Sequence, residues 1–182
     1  ALEGDGQAYC YWAREGIPLD QKLPATDRGL AVRRRYLSRD GAEVPLSRIE
    51  QGQVLVAEIT VRARQALENV VISDLLPAGL EIQNPTLKTR ASGIFDLPAP
   101  AVRTDGLDPF GADDQGAVAL ETTEELHPEN VQMRDDRLLV FTDLPGGEAC
   151  YYRYVVRAVT PGTFVLPAIS ARCMYDPTYA SR

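Results

Sequence analysis

Apolar and polar positions alternate with a period of two over most of this chain, and a helical period is almost absent. Over Leu30–Ser38 the residues Leu30, Val32 and Tyr36 fall on one side and Arg33, Arg35 and Leu37 on the other. Arg34 is the exception: it shares a side with Val32 and Tyr36, so it needs a carboxylate partner. Gln53–Ala63 is the clearest strand, with Leu55, Ala57, Ile59 and Val61 on one face and Glu58, Thr60 and Arg62 largely on the other. Further strands are predicted over Gln7–Arg14, Val70–Leu76, Leu80–Gln83, Val131–Arg134, Arg137–Thr142, Glu148–Val159 and Thr163–Met174, with a short one over Glu43–Leu46 that Pro45 weakens.

Turn residues separate these segments. Arg39-Asp40-Gly41, Ile49–Gly52, Asp135-Asp136, Gly146-Gly147 and Thr160-Pro161-Gly162 all carry turn chemistry. Pro167 lacks an N–H inside the last predicted strand, which places that strand at an edge or gives it a bulge. Roughly seven to nine short strands predict an all-β protein, an immunoglobulin-like antiparallel β-sandwich. The whole chain, 1–182, reads as one such domain with a long acidic insertion over about 87–130. Within that insertion Ala117–Leu126 fits a short helix or a strand equally well.

Charge sharpens the picture. The net charge is −7, but it is local: Asp96–Asp136 holds eleven acidic residues against two arginines, and the remainder of the chain is slightly positive. This balance excludes nucleic acid and anionic membrane surfaces as partners, because both need a basic face. No run of apolar residues is long enough to insert directly into a membrane as a spanning helix. A start at Ala1 without a leader pattern fits a mature chain or a piece of a longer one.

The residues that could carry chemistry are sparse. Cys10, Cys150 and Cys173 lack metal-ligand spacing. If Thr160–Thr163 closes a hairpin, Cys150 falls opposite Cys173, where either a disulfide or two buried thiols would fit. His127 stands in a polar stretch beside Pro128; a hydrolytic triad on it would need a nearby Ser or Cys and an acid, and an inert surface position is the favoured reading. Asp105, Asp108, Asp113 and Asp114 could wrap calcium, although their spacing misses the twelve-residue helix–loop–helix pattern. There is no glycine-rich phosphate loop. These observations favour a non-enzyme without a cofactor. Tyr151, Tyr152 and Tyr154 put aromatic rings on both faces of one strand, which suggests a core face and a contact face.

Several short segments carry a family likeness: Tyr9-Cys10-Tyr11-Trp12, Asp74-Leu75-Leu76-Pro77-Ala78-Gly79-Leu80, Arg134-Asp135-Asp136-Arg137, Tyr152-Arg153-Tyr154, Arg157-Ala158-Val159-Thr160-Pro161-Gly162 and Met174-Tyr175-Asp176-Pro177. In this order they resemble the C-terminal macroglobulin-like, receptor-binding-like domain of bacterial alpha-2-macroglobulins. The resemblance implies a non-catalytic piece of a large periplasmic protease inhibitor, which meets its target proteases through the parent molecule. Such a domain docks on the neighbouring thioester-type domain and on envelope partner proteins. None of the three cysteines begins a Cys-x-x-Gln motif, since Ala13, Arg153 and Asp176 stand three places on; any reactive thioester lies elsewhere in the parent. By the same resemblance Met174 and Tyr175 would shield that bond, with Tyr152 and Tyr154 as further interface candidates. The alternative is a stand-alone adhesin or carbohydrate-binding sandwich that stacks sugars on its tyrosines.

Overall fold

The computed structural model describes residues 24–83, 101–103 and 120–182. These contain thirteen strands and no helix: β1 (Asp27–Arg28), β2 (Leu30–Leu37), β3 (Val54–Ala63), β4 (Leu67–Leu75), β5 (Leu80–Ile82), β6 (Ala101–Arg103), β7 (Leu120–Thr122), β8 (Glu124–Glu125), β9 (Asn130–Met133), β10 (Arg137–Leu144), β11 (Ala149–Ala158), β12 (Ile169–Cys173) and β13 (Ala180–Ser181). One sheet runs β1-β13-β12-β4-β10-β9; the other runs β2-β3-β11-β5, with β8 added beside β11. A separate pair joins β6 to β7. Part of Ala117–Leu126 is thus strand, while most of the acidic insertion lies outside the described residues, as does the predicted strand over Gln7–Arg14.

The two sheets meet along the faces that alternation selects. Leu30, Val32, Leu55, Ile59 and Val61 come from one sheet, and Val70, Ile72, Leu138, Val140 and Ala171 from the other; all are fully or almost fully buried in a single core. Each such side chain contributes on the order of 1.5–3 kcal/mol by leaving water. β3 departs from simple alternation. Its second face is also buried, with Val56 packed against Leu37 and Val155, and Glu58 and Thr60 at 0% and 6% exposure. Ion pairing of Glu58, described below, lets that polar face be covered.

Two turns form as the residues predict. The Asp135-Asp136 turn joins β9 to β10, closed by Arg134 N–H donating to the Arg137 carbonyl at 2.9 Å. At Arg39-Asp40-Gly41 the Gly41 N–H reaches the Ser38 carbonyl at 3.0 Å with φ at 84°. The segment after it makes one bridge, Leu37 to Glu43, rather than a strand.

The expected last hairpin is corrected. β11 pairs with β3 and β5, while β12 crosses to the opposite sheet between β13 and β4. Pro167 lies in the stretch such a hairpin would have to pair, and it has no N–H to offer. That stretch is instead a connector between the layers. Pro167 precedes β12, so the strand needs neither an edge position nor a bulge to accommodate it.

Gly29, between β1 and β2, sits at φ 63°, and a Cβ there would lie 2.6 Å from the Tyr179 ring. Gly29→Ala should therefore lower stability by about 1–3 kcal/mol, through overpacking and left-handed strain together. Thermal unfolding measures this; an unchanged midpoint would mean that Tyr179 is not seated on this glycine.

Candidate functional site

Three sets of side chains stand out, two buried and one exposed. The first crosses the sandwich. Arg34 of β2 points inward, and its Nη1 donates to Asp74 Oδ1 of β4 and to the Leu75 carbonyl, the latter at 3.1 Å. Its Nη2 donates to the Pro167 carbonyl at 2.8 Å. Tyr154 of β11 completes the carboxylate's shell, its hydroxyl donating to Asp74 Oδ2 at 2.7 Å. The partner that the sequence required for Arg34 is therefore Asp74. Burial pushes the Asp74 carboxyl above its ordinary range, against the opposing pull of Arg34 and the Tyr154 hydroxyl. Burial, reinforced by the Asp74 charge, lifts the Tyr154 phenol well above its usual value.

Tyr36 flanks the group, its ring 5.3 Å below the Arg34 guanidinium. The Tyr36 hydroxyl is buried without a hydrogen-bond partner, and burial raises its pKa to about 12. Asp74 is completely buried, and Tyr36 and Tyr154 are 2% and 3% exposed. No substrate reaches these groups, so their chemistry is that of a clamp between layers.

The second set lies on the other face of β3. Glu58 Oε1 accepts from Arg35 Nε at 2.6 Å, and Oε2 accepts from Arg153 Nε and Nη2 at 2.8 and 2.7 Å. Arg153 also covers the Tyr151 ring at 4.7 Å. The register makes this possible, because Glu58 stands opposite Arg35 on one side and Arg153 on the other.

The third set is on the surface, in the turn from β12 to β13. Met174 is 49% and Tyr175 is 79% exposed, the latter the most exposed large apolar side chain of those described. The turn beneath them is well tied. Met174 N–H donates to the Asn69 carbonyl at 2.9 Å, and Cys173 N–H to the Tyr179 carbonyl at 3.1 Å. Asp176 Oδ1 accepts from the N–H and the hydroxyl of Thr178 at 3.0 and 2.5 Å, bonds that hold the Asp176 carboxyl below its ordinary range. Pro177 and the Tyr179 ring on Gly29 stiffen the far side.

The remaining sequence candidates are dispersed. Tyr154 is in the core, and Tyr152 packs against it half-buried, because both sit on the inward face of β11. Tyr151 is 9% exposed, so the three rings form no open stacking platform. Cys150 and Cys173 are free buried thiols in different sheets, since β11 and β12 are not neighbours. Burial raises the Cys150 thiol, and the Cys173 thiol donates to the Glu68 carbonyl at 3.3 Å. His127 is exposed. Asp105, Asp108, Asp113, Asp114 and Cys10 lie outside the described residues. Among the described residues no group of three potential ligands could hold a metal.

Two layers of strands, clamped by a buried arginine–carboxylate–tyrosine group and bearing a stiff exposed turn, make a β-sandwich without an open catalytic cleft among the described residues. Residues 29–178 match the family described as the bacterial alpha-2-macroglobulin MG10 domain, and the chain belongs to that family. It is 33% identical over 177 residues to an alpha-2-macroglobulin of Xylella fastidiosa (strain 9a5c), covering 96% of this chain and 10% of that protein. With the alpha-2-macroglobulin of Escherichia coli K12 the identity is 27% over 176 residues, covering 97% of this chain and 10% of that one. The chain thus spans about a tenth of the length of these curated relatives. Among solved structures, a Salmonella alpha-2-macroglobulin reacted with methylamine superposes with a TM-score of 0.68 at 24% identity, over 91% of this chain and 9% of that one. Escherichia coli alpha-2-macroglobulin activated by porcine elastase gives 0.69 at 24%, over 88% and 13%. At such identity the superpositions speak for the fold.

Proposed function

We propose that this chain is a non-catalytic docking domain of a periplasmic bacterial alpha-2-macroglobulin that inhibits proteases. In this reading its β12–β13 turn closes over a reactive acyl bond carried by a neighbouring domain. The observation that carries the proposal is the exposed Met174–Tyr175 pair on a turn that is itself tightly bonded. Two exposed apolar side chains already held in place lose little ordering entropy when a partner covers them, which suits the pair to docking. An acyl bond prone to hydrolysis needs such a cover, because excluding water and amines is what preserves it. The reaction of the Salmonella relative with methylamine and the activation of the Escherichia coli relative by elastase fit a parent of this kind. The same docking reaches target proteases and envelope proteins only through the parent.

The test uses the full-length parent. Tyr175→Gly should increase the rate of inactivation by methylamine by about tenfold, because the amine then reaches the acyl group. A rate equal to that of the unsubstituted protein rejects the shielding role.

A further inference from the structure

A second apolar surface lies at the other end of β12. Phe164, Val165 and Leu166 are consecutive and exposed at 39%, 61% and 46%. Three adjacent apolar side chains in water are an error of patterning unless something covers them. They sit in the connector between β11 and β12, and that connector is firmly anchored. The Phe164 ring lies on Gly79 and Gly162, where an added Cβ would come within 2.5 and 2.9 Å of it. Val159 N–H donates to the Gly79 carbonyl at 2.9 Å, and the Gln51 side chain donates to the Val159 carbonyl at 2.9 Å. Beyond Leu166, the Pro167 carbonyl is held by Arg34, itself fixed on Asp74. Beside the ridge runs a groove lined by Leu46, Arg48, Ile49, Pro77 and Leu80.

We propose that the Phe164–Val165–Leu166 ridge and this groove form a second docking surface, covered by an apolar face of another domain of the same polypeptide. Two observations select this occupant. The chain spans only about a tenth of the length of its curated relatives, so most of the parent is available to cover it. The ridge is also too small for a free partner. Three side chains offer no more than a few hundred Å², against the roughly 1,000 Å² that a stable complex between separate molecules buries. Covalent linkage removes that requirement by raising the effective concentration of the partner to the millimolar range. Anchoring by glycine seats and by Arg34 means that little ordering entropy is lost on contact. The proposal rests on membership of the family, and not on the shielding role of Met174 and Tyr175.

Cysteine accessibility in the intact parent protein tests it. Val165→Cys is compared with Arg39→Cys, a probe at an exposed turn tip, using maleimide labelling above the background of the unsubstituted protein. The Val165 probe should react about tenfold more slowly than the Arg39 probe in the native protein, and at the same rate once both are unfolded in urea. Equal rates in the native protein would overturn the proposal. Protection that fades on dilution would also overturn it, because it would identify a second copy as the cover. A Val165 probe that labels freely in a parent whose Tyr175→Gly variant is still amine-sensitive would sink this surface alone and leave the shielding role standing.

Discussion

Replacing Asp74 by alanine should cost the domain about 3–5 kcal/mol, the loss expected when one member of a buried ion pair is removed. The size follows from what remains. Arg34 has a side-chain exposure of 5% and would keep a full charge in the core, with only the Leu75 and Pro167 carbonyls and the Tyr36 ring beside it. Tyr154 would lose the acceptor of its hydroxyl while buried. Tyr154→Phe removes one hydrogen bond to the carboxylate but leaves the Arg34–Asp74 pair intact, so it should cost less, about 1.5–3 kcal/mol. Urea titration checks both, read as a shift of midpoint at constant slope. A loss below about 1 kcal/mol for Asp74→Ala would show that Arg34 finds other compensation, and the clamp between layers would lose its energetic meaning.

Glu58→Ala should have a comparable effect, about 3–5 kcal/mol, for a related reason within one sheet. Its carboxylate is wholly buried and is shared by Arg35 and Arg153. The two arginines should not be equivalent. The Arg153 side chain is 7% exposed and that of Arg35 is 38% exposed, so water compensates Arg35 far better when its partner is lost. Arg153→Ala should therefore destabilise more than Arg35→Ala, and the same urea titrations would reveal the order. Equal effects would mean that solvent screening does not separate the two pairs.

Much of this architecture was legible from alternation alone. The strands at Leu30–Leu37, Val54–Ala63 and Arg137–Leu144 lie where the pattern puts them, and Arg34, stranded on an apolar face, announced a buried carboxylate. What alternation could not reveal was partnership between strands. β11 and β12 are separated by a turn sequence suited to a hairpin, yet they join different sheets; pairing is decided by which faces find cover, and that is non-local. Alternation put Glu58 on a face with Thr60 and Arg62, but only the register brings Arg35 and Arg153 alongside it. The exposed turn at Met174 was found through likeness to a family, since nothing in the spacing marks it. The Phe164–Leu166 ridge did leave a trace: three apolar residues in succession between Pro161 and Pro167, where a two-residue period should have put a polar one.

β12 has only five residues, and it lies inside its sheet with neighbours on both sides. At about 3.3 Å per residue it is a short strut of roughly 17 Å. Phe164–Leu166 stands just before one end of it and Met174–Tyr175 immediately after the other. Lateral bonding on both edges gives such a strut little freedom to stretch or bend. The two exposed apolar segments are therefore kept a set distance apart by the sheet that holds β12.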